Sequence, residues 1–75
     1  MVNDEQAKIL KNFGEQIREA RTRAKLTQIE VAAKAGVDVN YYARIERGIS
    51  NPSFLKLHSI MTVLNMASIS IKKQD

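Results

Sequence analysis

Cysteine is absent from this chain of 75 residues, and its absence removes several kinds of chemistry. Without thiols the chain cannot form a disulfide framework, a thiolate zinc site or a cysteine nucleophile, and this composition suits a reducing cytoplasm. Other metal ligands are scarce too, because His58 is the one histidine and Asp75 is the one acidic residue after Glu46. The composition therefore predicts no metal, no other cofactor and a cytoplasmic location.

Long hydrophobic runs and catalytic motifs are also missing. No apolar stretch approaches the roughly 20 residues of a membrane span, and residues 1–4 are acidic rather than signal-like, so we expect no membrane association. No serine–histidine–acid arrangement, glycine-rich phosphate loop or paired-carboxylate motif is present. A chain this short forms one small domain with little room for a catalytic cleft. We expect a binding module rather than an enzyme.

The charge balance favours a nucleic-acid partner, but only weakly. The chain has 12 Lys and Arg residues against 8 Asp and Glu residues, a net charge of +4 and an isoelectric point near 9.7. Residues 26–48, however, contain three basic and three acidic groups. A DNA-binding interpretation must therefore rest on where individual side chains lie.

Apolar residues at helical spacing, separated by capping residues, predict an all-α fold. The predicted helices are about 5–24, 28–35, 38–47 and a fourth that opens at Ser53. The predicted N-caps are Asn3 or Asp4, Thr27 with Glu30 completing a capping box, Asp38, and Ser53. Gly36 and Gly48 are expected to end the second and third helices. Gly14, inside the first helix, indicates either close packing or a break.

The core is expected to form from one face of each helix. Tyr42 and Ile45 supply the inward positions of the third helix. The buried stripe predicted for the fourth helix consists of Phe54, Leu57, Ile60, Met61 and Leu64. His58 is expected at the edge of this core. Ile29, on the second helix, is either a partner contact or a scattered apolar residue of the surface.

The tail, residues 65–75, allows two interpretations. Residues 67–71 alternate polar and apolar side chains with β-branched residues, which is typical of a strand. The segment is too short to be stable as a hairpin by itself. We expect a strand or short helix associated with a dimer, ahead of a frayed end, and place the domain boundary after residue 64.

The second and third helices are joined across Gly36 and Val37. Two short helices joined by such a turn are typical of the helix-turn-helix motif, whose second helix can enter a DNA major groove. A plain helical hairpin is the alternative that spacing leaves open.

Five short motifs together resemble the XRE-type helix-turn-helix family. They are IREAR at 17–21, LTQIEVA at 26–32, GV at 36–37, RIERG at 44–48 and NPS at 51–53. The family includes lambda-type phage repressors, restriction-modification controller proteins and small antitoxins. The resemblance implies a compact four- or five-helix, lambda-repressor-like bundle that binds palindromic double-stranded DNA as a homodimer.

The resemblance places base contacts on the third helix, at Val39, Asn40, Tyr41 and Arg44. Asn40 can form two hydrogen bonds with adenine, and Val39 can touch a thymine methyl group. Tyr41 offers an apolar ring and a hydroxyl for phosphate, with surface packing as the alternative. Arg44, one turn beyond Asn40, can bind guanine or phosphate, or can be solvated. Asp38 is expected to act as a cap.

The expected DNA-backbone contacts are Gln28, Arg47, Gly48 and Asn51. Gln28 matches a family glutamine that touches a phosphate, although its amide can also brace the next helix. Such contacts set register and affinity rather than sequence choice. Arg21 and Glu46 match positions that often form a partly buried ion pair in the family, so their expected role is structural.

Two departures from the family pattern carry expectations. Lys25 stands where the family often has glycine, which predicts a strained or differently shaped turn. A leucine-rich fifth helix is not recognisable after Leu64, so the usual dimer interface is not assured. The leading hypothesis is a DNA-binding transcriptional regulator. The alternative is an antitoxin or interaction module that also binds a cognate protein partner.

Overall fold

The computed structural model describes residues 3–69 and contains four α-helices in that part of the chain. The helices are α1 (Asp4–Arg23), α2 (Gln28–Ala35), α3 (Val39–Arg47) and α4 (Phe54–Val63). Helix α1 packs on α3, and α2 packs on both α3 and α4. The predicted all-α bundle is confirmed. No helix within these 67 positions, 3–69, is long and apolar enough to cross a membrane.

Side-chain caps fix where the helices begin. The hydroxyl of Thr27 accepts a hydrogen bond from the Glu30 backbone N–H at 3.1 Å, and the Glu30 carboxylate accepts one from the Thr27 backbone N–H at 2.7 Å. Asn3 forms the same reciprocal arrangement at the start of α1. Asp38 and Ser53 cap α3 and α4, as the sequence predicted.

A residue in the left-handed conformation follows the end of each of the four helices. Gly36 and Gly48 have φ angles of 73° and 76°, which glycine adopts without steric cost. The N–H of the following residue then reaches back to the helix, as Ile49 does to the Arg44 carbonyl at 3.1 Å. Lys25 takes the same conformation after α1, with φ of 60°. The strain predicted for that turn is therefore present, because a side chain stands in the region that favours glycine.

The core lies between the facing sides of all four helices. Its fully or nearly buried apolar members are Ile17, Ala20, Val31, Ala32, Tyr42, Ile45, Ile60 and Leu64. The small residues Ala20 and Ala32 let neighbouring helices approach closely. The predicted inward positions of α3 are confirmed.

Two predictions for α4 are wrong. Phe54 is 77% exposed, whereas Leu57 is half-buried and Ile60 is fully buried on the same stripe. Periodicity identifies the inward side of a helix but not how far its neighbours extend along it, and they do not cover the first turn of α4. His58 is exposed rather than at the core boundary, because one residue beyond Leu57 rotates it about 100° from the inward line. Its ring lies 6.3 Å from that of Phe54.

Gly14 allows α1 to approach α3 closely. A Cβ at this position would lie 2.5 Å from the Ile45 carbonyl oxygen and would also collide with that of Glu46. Helix α1 continues through Gly14 without interruption. Of the two explanations that the sequence left open, close packing is therefore the one observed.

The chain beyond α4 turns back onto the core. Asn65 has a φ of 56°, and Met66 N–H donates to the Met61 carbonyl at 2.9 Å. The side chains of Met66 and Ile69 pack partly buried against the core. Residues 65–69 contain no helix or strand, and the rest of the expected tail element, 70–75, lies outside the described residues.

Candidate nucleic-acid interface

The outer side of α3 carries a line of polar side chains. Asn40, Arg44 and Arg47 are exposed and follow one another at intervals of four and three residues, so they lie on the same side of the helix. The opposite side holds Tyr42 and Ile45 in the core. This burial holds the outer line in a fixed orientation.

The four residues predicted to contact bases do not share one environment. Asn40 and Arg44 are exposed, whereas Val39 and Tyr41 are half-buried and pack against the core. The Nζ atom of Lys56 lies 4.8 Å from the centroid of the Tyr41 ring, a cation–π contact between α4 and α3. The packing alternative considered for Tyr41 is therefore observed. Its contact with DNA stays a prediction.

One carboxylate connects α1, α2 and α3. Arg21 donates to the two oxygens of Glu46, from Nε at 2.6 Å and from Nη2 at 3.2 Å. The Tyr42 hydroxyl donates at 2.6 Å, and Gln28 Nε2 donates at 3.0 Å. The Glu46 side chain is 3% exposed, so four donors compensate for its removal from water. The predicted ion pair of Arg21 and Glu46 is present.

These contacts determine the ionisation of the group. Burial raises the pKa of Glu46, but the hydrogen bonds from Arg21, Tyr42 and Gln28 outweigh it and leave this pKa below its ordinary value. Burial and the bond to Glu46 raise the pKa of the Tyr42 hydroxyl, which therefore stays a neutral donor. The bond to Glu46 raises the pKa of Arg21 further. The network is a carboxylate held ionised by one cation and two neutral donors.

The residues predicted to contact the DNA backbone lie around the end of α3. Arg47 and Asn51 are exposed and Gly48 is half-buried. Gln28 is the first residue of α2, and its amide is joined to Glu46 beside Arg47. The bracing role left open for Gln28 is observed, while its contact with phosphate stays a prediction.

Sequence reasoning missed several contacts around this surface. The Tyr42–Glu46 bond spans i to i+4 on one helix, a spacing that the sequence could have revealed. The Lys56–Tyr41 contact depends on tertiary packing and left no local signal, and the bracing role considered for Gln28 did not identify Glu46 as its partner. Lys11 and Arg18 of α1 line one cleft with Gln28 and Arg47, although the sequence analysis gave neither residue a role: Lys11 lies outside the family motifs and Arg18 lies within IREAR.

The described residues contain no group of three or more His, Cys, Asp or Glu side chains that could hold a metal ion. Within residues 3–69, the outer side of α3 carries amide and guanidinium groups, and the loop residues that follow α3 lie beside them. Donors of this kind suit base edges and phosphates.

Comparison with known proteins identifies the relatives of the chain. The helix-turn-helix family model matches residues 17–70, more than half of the chain. The immunity repressor protein of Bacillus phage phi105 is 38% identical over 62 residues, which are 83% of this chain and 43% of that protein. The chain therefore spans less than half the length of this curated relative.

Solved structures of controller proteins are similar as well. The restriction-modification controller protein C.AhdI from Aeromonas hydrophila is 35% identical, with a TM-score of 0.74 over 76% of this chain and 86% of that one. C.Esp1396I, solved as a tetramer with its natural 35-base-pair operator, is 28% identical, with a TM-score of 0.74 over 81% of this chain and 80% of that one. With its four-helix bundle and the matched residues 17–70, the chain belongs to the helix-turn-helix family, of the XRE type.

Proposed function

We propose that the protein is a transcriptional regulator that binds a specific double-stranded DNA sequence in the cytoplasm, and that it is not an enzyme. The observation that carries this proposal is the exposed line Asn40, Arg44 and Arg47, held outward by the buried side of α3. A helix of this kind can lie in the major groove with its first turn against base edges.

The side chains on this line supply direct readout. The Asn40 amide can donate to and accept from adenine, and the Arg44 guanidinium can donate two hydrogen bonds to guanine. Val39 and Tyr41 lie beside them with part of their surface accessible, for apolar contact with thymine methyl groups. Gln28, Arg47, Gly48 and Asn51 would bind the backbone and fix the position of α3.

A homodimer on a palindromic operator is the proposed assembly. Two copies of α3 would enter successive major grooves about 34 Å apart, which doubles the contacts of a small domain. Residues 1–64 would form the DNA-binding domain, and residues 65–75 would contribute to the contact between subunits. This assembly is supported by a similar controller protein that was solved as a tetramer on its operator.

Selection from random duplexes tests the function. We expect the full chain to enrich a palindromic site. Asn40→Ala and Arg44→Ala should each weaken binding to that site by about 1–3 kcal/mol per half-site, relaxing preference at one base pair in each half-site, with unfolding temperatures unchanged.

Arg23→Ala is the matched control, because Arg23 is an exposed arginine in the last turn of α1 and away from α3. Failure to enrich any site would contradict the function. Equal binding by Asn40→Ala, Arg44→Ala and the control would contradict the proposed reading surface.

A second candidate is a module that binds a cognate protein, such as a toxin, with or without DNA. Exposed apolar side chains favour it, since Ile29 on α2 is 69% exposed and Phe54 and Leu55 on α4 are exposed as well. Stable co-purification with one protein encoded next to it, lost in Ile29→Ser or Phe54→Ser, would support this role. Purification of the chain alone and at full yield from a host that also expresses that neighbour would oppose it.

A further inference from the structure

The close crossing of α1 and α3 places two basic side chains of α1 beside the proposed DNA surface. Lys11 and Arg18 lie three residues before and four residues after Gly14, on the side of α1 that faces the end of α3. At Gly48, a Cβ would lie 2.6 Å from Lys11 Cα, so the backbones of α1 and the loop after α3 are in contact. The two glycines therefore fix where these basic residues stand.

The two helices and the start of α2 enclose an open cleft of about 380 Å³. Its lining consists of Lys11, Glu15, Arg18, Arg21, Gln28, Glu46 and Arg47. The cleft and the outer line of α3 share one residue, Arg47. The distance along α3 from Asn40 to Arg47 is about 10 Å at 1.5 Å per residue, close to the roughly 12 Å width of the major groove.

Positive charge in the cleft exceeds negative charge. Glu46 neutralises the Arg21 guanidinium in the one salt bridge present within residues 3–69. Lys11, Arg18 and Arg47 are exposed and form no such pair there, against the single carboxylate of Glu15. Unpaired cations in a concave site attract an anion.

Gln28 adds a neutral donor to the same site. Its Nε2 atom carries two hydrogens, and the contact of 3.0 Å with Glu46 occupies one of them. The second hydrogen is left for a ligand in the cleft. Because Glu46 can only accept, the amide nitrogen rather than the oxygen is held at this position.

We infer that this cleft binds a phosphate of the DNA backbone at the edge of the groove occupied by α3, with Lys11 and Arg18 of α1 as its cationic ligands beside Arg47 and Gln28. The inference rests on the proposed function and adds α1 to the DNA-contacting surface. Glu15, at the same site, opposes the phosphate and limits affinity for all DNA.

Salt-dependent binding of the full chain tests the inference, using the selected duplex and a scrambled duplex of equal length. Lys11→Gln and Arg18→Gln should each reduce the slope of log K against log salt concentration by about 1 for each subunit bound, or about 2 for the proposed dimer. At 0.1 M monovalent salt each should weaken binding about eightfold per bound subunit on both duplexes, leaving their affinity ratio unchanged. Glu15→Gln should strengthen binding to both. Arg23→Gln is the control of equal charge change on the same helix.

Slopes and affinities of Lys11→Gln and Arg18→Gln that equal those of Arg23→Gln would overturn the inference. Loss confined to the selected duplex would also overturn it, since a backbone contact does not read sequence. If the natural chain bound both duplexes equally, the proposed function would fail, while the charge variants would still test the cleft on that non-specific binding. Lys11, Arg18 and Arg23 are all exposed, so circular dichroism should show that the unfolding temperatures of these three variants are unchanged.

Discussion

At the scale of single residues, Glu46 links three helices. Its carboxylate accepts from Arg21 on α1, Gln28 on α2 and Tyr42 on α3. Removal of one partner from a buried, hydrogen-bonded charge pair leaves the other without compensation. Glu46 is therefore a structural residue, and loss of DNA binding after its substitution would be indirect.

The pH dependence of stability follows from this residue. The pKa of Glu46 in the folded chain lies below its ordinary 4.5, so its stabilisation is complete above that value and is lost as the pH falls through the folded pKa. We expect Glu46→Gln to lower the free energy of unfolding by about 3 kcal/mol at pH 7.

Urea unfolding from pH 7 to pH 3 measures both effects. The difference between natural chain and variant should shrink as the pH falls below 4.5, because the natural carboxyl group then becomes neutral, first in the unfolded chain and at lower pH in the folded chain. Glu30→Gln serves as a comparison, since Glu30 is an exposed capping residue whose pKa is lowered by the Thr27 backbone N–H and hydroxyl. A constant difference for Glu46→Gln at every pH would contradict the argument.

At the scale of helices, the contact between α1 and α3 determines the shape of the DNA-binding side. Gly14 is buried against the carbonyl groups of Ile45 and Glu46. Those atoms belong to the backbone, which cannot move aside without shifting α3 or its network. Orientation of the outer line of α3 therefore depends on the absence of a side chain at residue 14.

Gly14→Ala separates packing from helix propensity. Alanine favours a helix by about 1 kcal/mol over glycine, but the added methyl group has no space at this crossing. We expect a net loss of stability of about 1–3 kcal/mol, measured by urea unfolding. Lys8→Ala, an exposed position on the same helix, should change stability by less than about 0.5 kcal/mol. An increase in stability for Gly14→Ala would contradict the packing argument.

The sequence predicted the local elements better than their contacts. Thr27 with Glu30, Asp38 and Gly48 are short-range signals, so the ends of α2 and α3 could be read directly. Phe54 follows the correct period but lies beyond the neighbouring helices, and no local pattern reports where a packing partner ends.

In the candidate site, too, the sequence predicted local features better than contacts between helices. Exposure of Asn40 and Arg44 follows from their spacing relative to Tyr42 and Ile45. The pairing of Arg21 with Glu46 came from the family resemblance, because the two residues are 25 positions apart. Placement of Lys11 beside Arg47 depends on the angle at which α1 crosses α3, which the sequence alone does not specify.

At the scale of the whole molecule, exposed apolar side chains adjoin the proposed DNA surface. Ile29 and Ile49 are exposed and directly follow Gln28 and Gly48, two of the proposed backbone contacts, whereas the exposed Phe54 and Leu55 lie on α4. A protein partner that bound through Ile29 would therefore compete with DNA for this side of the molecule.

Amide chemical shifts recorded during titration with the selected duplex test the central claim most directly. We expect the largest changes at Asn40, Arg44, Arg47 and Gln28, with little change in the middle of α4. Largest changes around Phe54 and Leu55, with α3 unaffected, would contradict the assignment of α3 as the helix that reads DNA.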